Sequence, residues 1–150
     1  MTEIRFYHLQ KTGLDRALPE ILEKAVSTGK NIIVKVPDEG ECTRLNDHLW
    51  TYRPDSFLPH GNKADGNADQ QPVWLSTGDD NPNGAKIIIL TGGASSENPA
   101  DFDLCCEMLN GNDPAAVKAA RERWKAYKEQ GFDLTYWQQD DNGKWTEKGA

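Results

Sequence analysis

The sequence predicts an α/β fold, a single domain built on a mostly parallel central sheet. Three observations carry that reading. A strand, a helix and a second strand follow one another within the first 36 residues, the pattern of a crossover unit with a parallel strand pair. Two of the strands, 31–36 (NIIVKV) and 86–90 (KIIIL), are almost wholly apolar, as strands are when helices cover both faces of a sheet. A long helix over 113–130 then continues the alternation. At 150 residues the chain is long enough to bury one full core.

Taken in order, residues 4–9 (IRFYHL) form a β-rich run with Ile4, Phe6 and Leu9 as its apolar positions. His8 reads as an ordinary strand-end residue. Residues 15–28 read as a helix: Leu18, Ile21, Leu22, Ala25 and Val26 give the stripe of a core-facing helix, and Gly29 stops it. Pro19 is expected in or near the first turn, where its missing N–H is harmless. After the strand at 31–36, residues 38–50 (DEGECTRLNDHLW) form a second helix with Leu45, Leu49 and Cys42 on its apolar side. Residues 52–71 are a long polar connection in which SFLPH is the apolar part, and Phe57 is expected to anchor it or line a groove. Short strands follow at 73–76 and 86–90. Residues 102–109 (FDLCCEML) suit a strand better than a helix, because the alternation needs one before 113. At the end, 134–138 and 144–146 read as a hairpin around the Asn142-Gly143 turn signal, with a frayed tail as the alternative.

The helix over 113–130 (DPAAVKAARERWKAYKEQ) has one chemically distinct side. Asp113 is a suitable N-cap, Pro114 fits the first helical position, and Gly131 fits the position after the end. Lys118, Arg121, Lys125 and Lys128 recur at spacings of three, four and three and so share a face, flanked by Val117 and Trp124. With Arg123 added, 118–128 holds five cations against the single anion Glu122. The whole chain has 17 Lys and Arg against 24 Asp and Glu, a net of −7, so everything outside this segment sums to −11. A basic, aromatic-bordered face on an acidic protein suits an acidic partner; a merely solvated helix face is the plainer reading.

Other classes lack their signatures. Gly29-Lys30-Asn31 is not a phosphate loop: Lys24 stands where the first glycine belongs, and Asn31 where Ser or Thr belongs. No GxGxxG follows the first strand, so a nucleotide-using α/β enzyme has no phosphate cradle. Asp47 and His48 are helix neighbours that do not face each other, and no activated nucleophile accompanies them. Asp79 and Asp80 lack the calcium-loop spacing. The net of −7 argues against tight, direct binding to bare nucleic acid. Apolar content is 37% and mean hydropathy −0.76, with no apolar run near the roughly 20 residues that span a bilayer. Three cysteines without metal-ligand spacing, and no signal-peptide core, lead to the expectation of buried, reduced thiols in a cytoplasmic protein, with no metal and no cofactor.

An ordered series of motifs resembles one family. FYHL near the N-terminus, LPEILEKA, RLNDHLW, SFLPHG, QPVWLS and ARERWKAYKEQGFDL occur in the order and spacing of the chi subunit of bacterial DNA polymerase III holoenzyme. The likeness spans roughly residues 4–137, and its most specific part is LNDHLW…SFLPHG…RERWKAYKEQGF. It implies a Rossmann-like three-layer sandwich and a non-catalytic accessory subunit of the clamp-loader complex. It also implies binding of the acidic, Phe-terminated tail of single-stranded-DNA-binding protein. Some family members pair with a psi subunit, and some bind a repair helicase. The family's tail site falls on the helix matched by RERWKAYKEQ: Arg121, Trp124 and Lys125 match its cationic and aromatic positions, and Lys128 a further cation. Trp124 stands where a well-known relative has Tyr, which keeps the ring and loses the hydroxyl. The residues themselves suit such a ligand. Arg121 can grip a carboxylate bidentately, Lys118, Lys125 and Lys128 add point charges, and Trp124 and Val117, with Phe57, offer an apolar shelf.

Overall fold

The computed structural model describes residues 2–9, 13–51, 60–62, 71–78, 81–94, 99–140 and 145–148. The elements run β1 (Glu3–Leu9), α1 (Leu14–Val26), β2 (Ile32–Lys35), α2 (Glu39–Thr51), β3 (His60–Gly61), β4 (Val73–Ser76), β5 (Ile87–Leu90), β6 (Leu104–Asn110), α3 (Pro114–Glu129), β7 (Asp133–Gln139) and β8 (Trp145–Lys148). The strands form one sheet in the order β3-β4-β2-β5-β6-β1-β7-β8. Every pairing is parallel except β7 with β8. The outcome is the expected α/β sandwich. α1 and α2 bury Leu18, Leu22, Leu45 and Leu49 against Val34, Leu75 and Ile89 on one face. α3 covers the other face, over Ile4, Phe6, Ile88 and Cys105. Because successive side chains in a strand point to opposite faces, Cys105 and Cys106 enter different cores, both as buried free thiols.

Two expectations about the sheet change. β1 and β2 are parallel but not neighbours, since β5 and β6 lie between them. The first crossover therefore spans half the sheet, and residues 86–110 later fill the gap. β3 is a two-residue edge strand inside the stretch read as a connection, and its buried His60 is fixed by a ring nitrogen 2.9 Å from the Asn46 carbonyl. Phe57, the Asp79-Asp80 pair and the Asn142-Gly143 turn lie outside the described residues.

Pro19 sits in the second turn of α1, not the first, and is buried there. A proline cannot donate to the carbonyl four residues earlier, so the Asp15 carbonyl loses its helical partner. A ring nitrogen of His48 on α2 lies 2.6 Å from that oxygen, and Arg44, one turn earlier, binds the Asp15 carboxylate at 2.8 and 2.9 Å. His48 thus docks α2 onto the defect that Pro19 makes in α1. His48→Ala is expected to lower unfolding stability by about 1 kcal/mol, the usual worth of one such bond at a partly exposed site. Adding Pro19→Ala should recover much of that loss, because the backbone N–H it restores can satisfy the same carbonyl. Denaturant melts of the two variants read this directly, and an unchanged midpoint for His48→Ala would remove the docking role.

α3 begins and ends as its sequence directs. Asp113 accepts from Ala115 N–H at 3.0 Å, and Pro114 occupies the first turn. Gly131, at φ +87°, permits the left-handed exit. Its N–H bonds Lys128 O, the Phe132 N–H bonds Tyr127 O, and the Phe132 and Tyr127 rings meet at 5.8 Å. That cap turns the chain directly into β7, which pairs with β1 and so fixes where α3 lies on the sheet.

Candidate functional site

Between α3 and the strands beneath it runs an open groove of about 350 Å³. Val117, Ala120, Arg121 and Trp124 line its helical side. Phe6 of β1, Leu109 of β6, and Tyr136 and Gln138 of β7 line the rest. Parallel pairing places Tyr136 beside Phe6, and both point toward α3. Phe6 meets the Trp124 ring edge-on at 5.2 Å, and Trp124 meets Tyr136 at 6.2 Å and 85°. The aromatic wall is therefore held from two sides, and Trp124 stays partly exposed to solvent.

The charge that α3 presents to the groove is that of Arg121. Lys118, Arg121, Lys125 and Lys128 are all exposed, and none pairs with a carboxylate among the described residues. Arg121 lies in the groove itself, whereas the three lysines are exposed on the same helix without lining it. Arg121 also acts on its neighbours behind the wall. His8, in contact with the Tyr136 hydroxyl, is held below the ordinary histidine pKa by burial first and by the Arg121 charge second. Tyr136 titrates above the ordinary tyrosine value because it is partly buried.

Arg123 leaves the cationic set. Its Nε donates to both oxygens of Glu107 at 2.9 and 3.0 Å, and Glu107 is 2% exposed. The Tyr127 hydroxyl donates to the same carboxylate at 3.1 Å. Burial still raises the Glu107 pKa above the ordinary carboxylate range, against the opposing pull of Arg123 and Tyr127. This network holds α3 to β6, on the side of the helix away from the solvent-facing lysines.

Of the residues expected from sequence, Arg121, Trp124 and Val117 come together in one cavity. Lys118, Lys125 and Lys128 are exposed on the same helix but do not line it, and Phe57 lies outside the described residues. Sequence reasoning missed Phe6, Leu109, Ala120, Tyr136 and Gln138. The available signal was weak: Phe6 alternates with Tyr7 and Tyr136 with Trp137, but which of each pair faces α3 depends on pairing between segments about 130 residues apart. Among the described residues no cluster of His, Cys, Asp and Glu is arranged to hold a metal ion, and no helix is long and apolar enough to cross a membrane.

Comparison with known proteins agrees with the motif series. A family model described as DNA polymerase III chi subunit, HolC, matches residues 1–135. The DNA polymerase III subunit chi of Pseudomonas aeruginosa is 30% identical over 138 residues, covering 89% of this chain and 94% of that protein. The Escherichia coli K12 subunit chi is 26% identical over 124 residues, covering 82% and 84%. A probable subunit chi from Rickettsia prowazekii is 28% identical over 90 residues, which spans 60% of this chain and about half (54%) of the relative. The groove-lining helix, the floor strand and the docked α1–α2 pair all fall inside the matched region, and the chain belongs to the DNA polymerase III chi subunit family.

Proposed function

We propose that the groove beside α3 receives the acidic, Phe-terminated tail of single-stranded-DNA-binding protein, and that the chain serves as a non-catalytic adaptor between protein-coated single strands and the clamp loader. One observation carries this: Arg121 and Trp124 share a single open cavity, on a helix that also exposes Lys118, Lys125 and Lys128. A terminal carboxylate suits the Arg121 fork, the terminal ring suits the wall of Trp124, Phe6 and Tyr136, and upstream acids suit Lys118, Lys125 and Lys128. Each exposed lysine pair contributes only about 0–1 kcal/mol and weakens with salt, so the cavity supplies most of the specificity. Micromolar affinity, about −8 kcal/mol, is the expected scale for so short a peptide.

Titration of a tail peptide by calorimetry tests the reading. Arg121→Ala is expected to weaken binding by about tenfold or more, since a bond to a charged group is worth roughly 1.5–3 kcal/mol. Its melting midpoint should stay native, because Arg121 is exposed. Equal binding by both proteins, or none by the native chain, overturns the proposal. The clamp-loader half is read separately, by whether clamp-loader subunits or a psi partner co-purify with the tagged chain. A nucleotide-using enzyme finds no support in the sequence that follows β1, which holds no GxGxxG cradle.

A further inference from the structure

The opposite face of the sheet carries a second open groove, of about 430 Å³, that the proposed adaptor role does not use. Its walls are the end of α1, Lys30, and the strands β1, β5 and β6, and it is closed on one side by the β7–β8 hairpin. Among the described residues no helix crosses this part of the face. Instead Trp137 stacks on Tyr7 at 6.3 Å and 22°, and Trp145 meets Tyr7 edge-on at 5.1 Å. The Arg5 guanidinium lies 5.7 Å from the Trp137 ring centre and is held in place by Glu3 at 2.9 and 3.2 Å. Lys24 and Lys30 stand at the margin, both exposed. Lys30 makes one exposed pair with Asp103 at 3.3 Å, which is weak enough to exchange for another anion.

Two features restrict what fits. In a chain of net charge −7, the described residues lining this groove include three cations and no Asp or Glu. Its apolar surface is largely aromatic, with two indoles that are only half-buried. A ligand that is flat, apolar on its faces and anionic at its edge satisfies both. We propose that this groove binds a short stretch of single-stranded DNA, with a base stacked against Trp145 and Trp137 and successive phosphates at Lys24 and Lys30. Base stacking on aromatic side chains is tolerant of sequence, and the Arg5 plane extends the platform. An acidic peptide shares the charge but does not need three ring systems side by side. The acidity of the rest of the chain keeps the contact weak, so it acts on a strand already brought close.

The test is fluorescence polarisation of a labelled oligothymidylate of about a dozen nucleotides, titrated with the full chain at low salt. Two phosphate contacts on a single strand predict a slope of log affinity against log salt of about −1.4, and Lys24→Ala should bring it to about −0.7. Trp145→Ala should weaken binding about tenfold, the lower part of the usual range for loss of a stacked base. Lys24→Ala removes only an exposed charge, so its result stands even if Trp145→Ala disturbs the hairpin. Arg121→Ala should bind the oligonucleotide as the native chain does, which separates this site from the groove beside α3. Absence of binding at low salt, or binding that Lys24→Ala leaves unchanged, overturns the proposal. So does displacement by a Phe-terminated acidic peptide that Lys24→Ala abolishes, which would assign the groove to peptide, or equal affinity for thymidine monophosphate, which would assign it to a free nucleotide.

Discussion

Arg123→Leu is expected to destabilise the chain by about 3 kcal/mol at neutral pH, far more than removal of any other cation on α3. The reason is Glu107, 2% exposed on β6, whose two carboxylate oxygens both accept from Arg123 Nε while one also accepts from the Tyr127 hydroxyl. With Arg123 gone, the hydroxyl is the one donor of this set that remains, and an ionised carboxylate is left in an apolar layer. The effect has a definite pH dependence. Glu107 already titrates above the ordinary carboxylate range because of burial, so protonation favours the folded form. A raised folded-state value means that this stabilisation is fully present below the unfolded carboxylate pKa and is lost as pH rises through the folded one. Loss of Arg123 removes the two largest influences holding that value down, so it moves higher still. The variant should therefore be closest to native in mild acid and fall furthest behind near neutrality. Glu107→Gln in the Arg123→Leu background should recover part of the loss, and the pair should be strongly non-additive in a double-mutant cycle. Urea melts across that pH range check both. A pH-independent deficit would mean that the network contributes packing alone.

The same contact shows what could and could not be read from the sequence. Periodicity located α3 correctly, with Asp113, Pro114 and Gly131 marking its ends, because caps are local chemistry. It grouped Lys118, Arg121, Lys125 and Lys128 on a face that proves exposed. It also counted Arg123 with them, since charge alone does not reveal a buried partner sixteen residues away. The apolar runs at 31–36 and 86–90 correctly announced central strands, as both are flanked by parallel neighbours. Strand order was not legible. Nothing in the first 36 residues says that β5 and β6 will enter between β1 and β2. The groove was half visible for the same reason: Val117, Arg121 and Trp124 follow from helical spacing, whereas Phe6, Leu109 and Tyr136 join them only through sheet register. Pro19 was misplaced because its remedy, His48, lies on another helix.

The second large effect is expected at Phe6. Phe6→Ala should lower stability by about 3–5 kcal/mol, the usual range for a buried phenylalanine. For a chain of this size that corresponds to a melting shift on the order of 10 °C. Phe6 is 1% exposed and touches the rings of Trp124 and Tyr127 edge-on at 5.2 and 6.1 Å, so the substitution removes a large buried group and two ring pairs together. It also removes the floor of the groove. Trp124 would then keep, of its two described ring contacts, the one with Tyr136, and the wall would lose the geometry that suits a peptide's terminal ring. Peptide affinity should therefore fall on changing a residue that carries no charge and is almost closed to solvent. Arg121→Ala differs in the second readout: binding weakens while the midpoint is kept. Phe6→Leu separates the two consequences of Phe6→Ala, because it restores most of the volume but not the edge contacts. Calorimetry and thermal melts on the three proteins should place Phe6→Leu between native and Phe6→Ala in stability, with affinity still reduced. Full peptide affinity in Phe6→Leu would show that the ring contacts beneath Trp124 do not shape the site, and that Arg121 with the exposed lysines of α3 is enough.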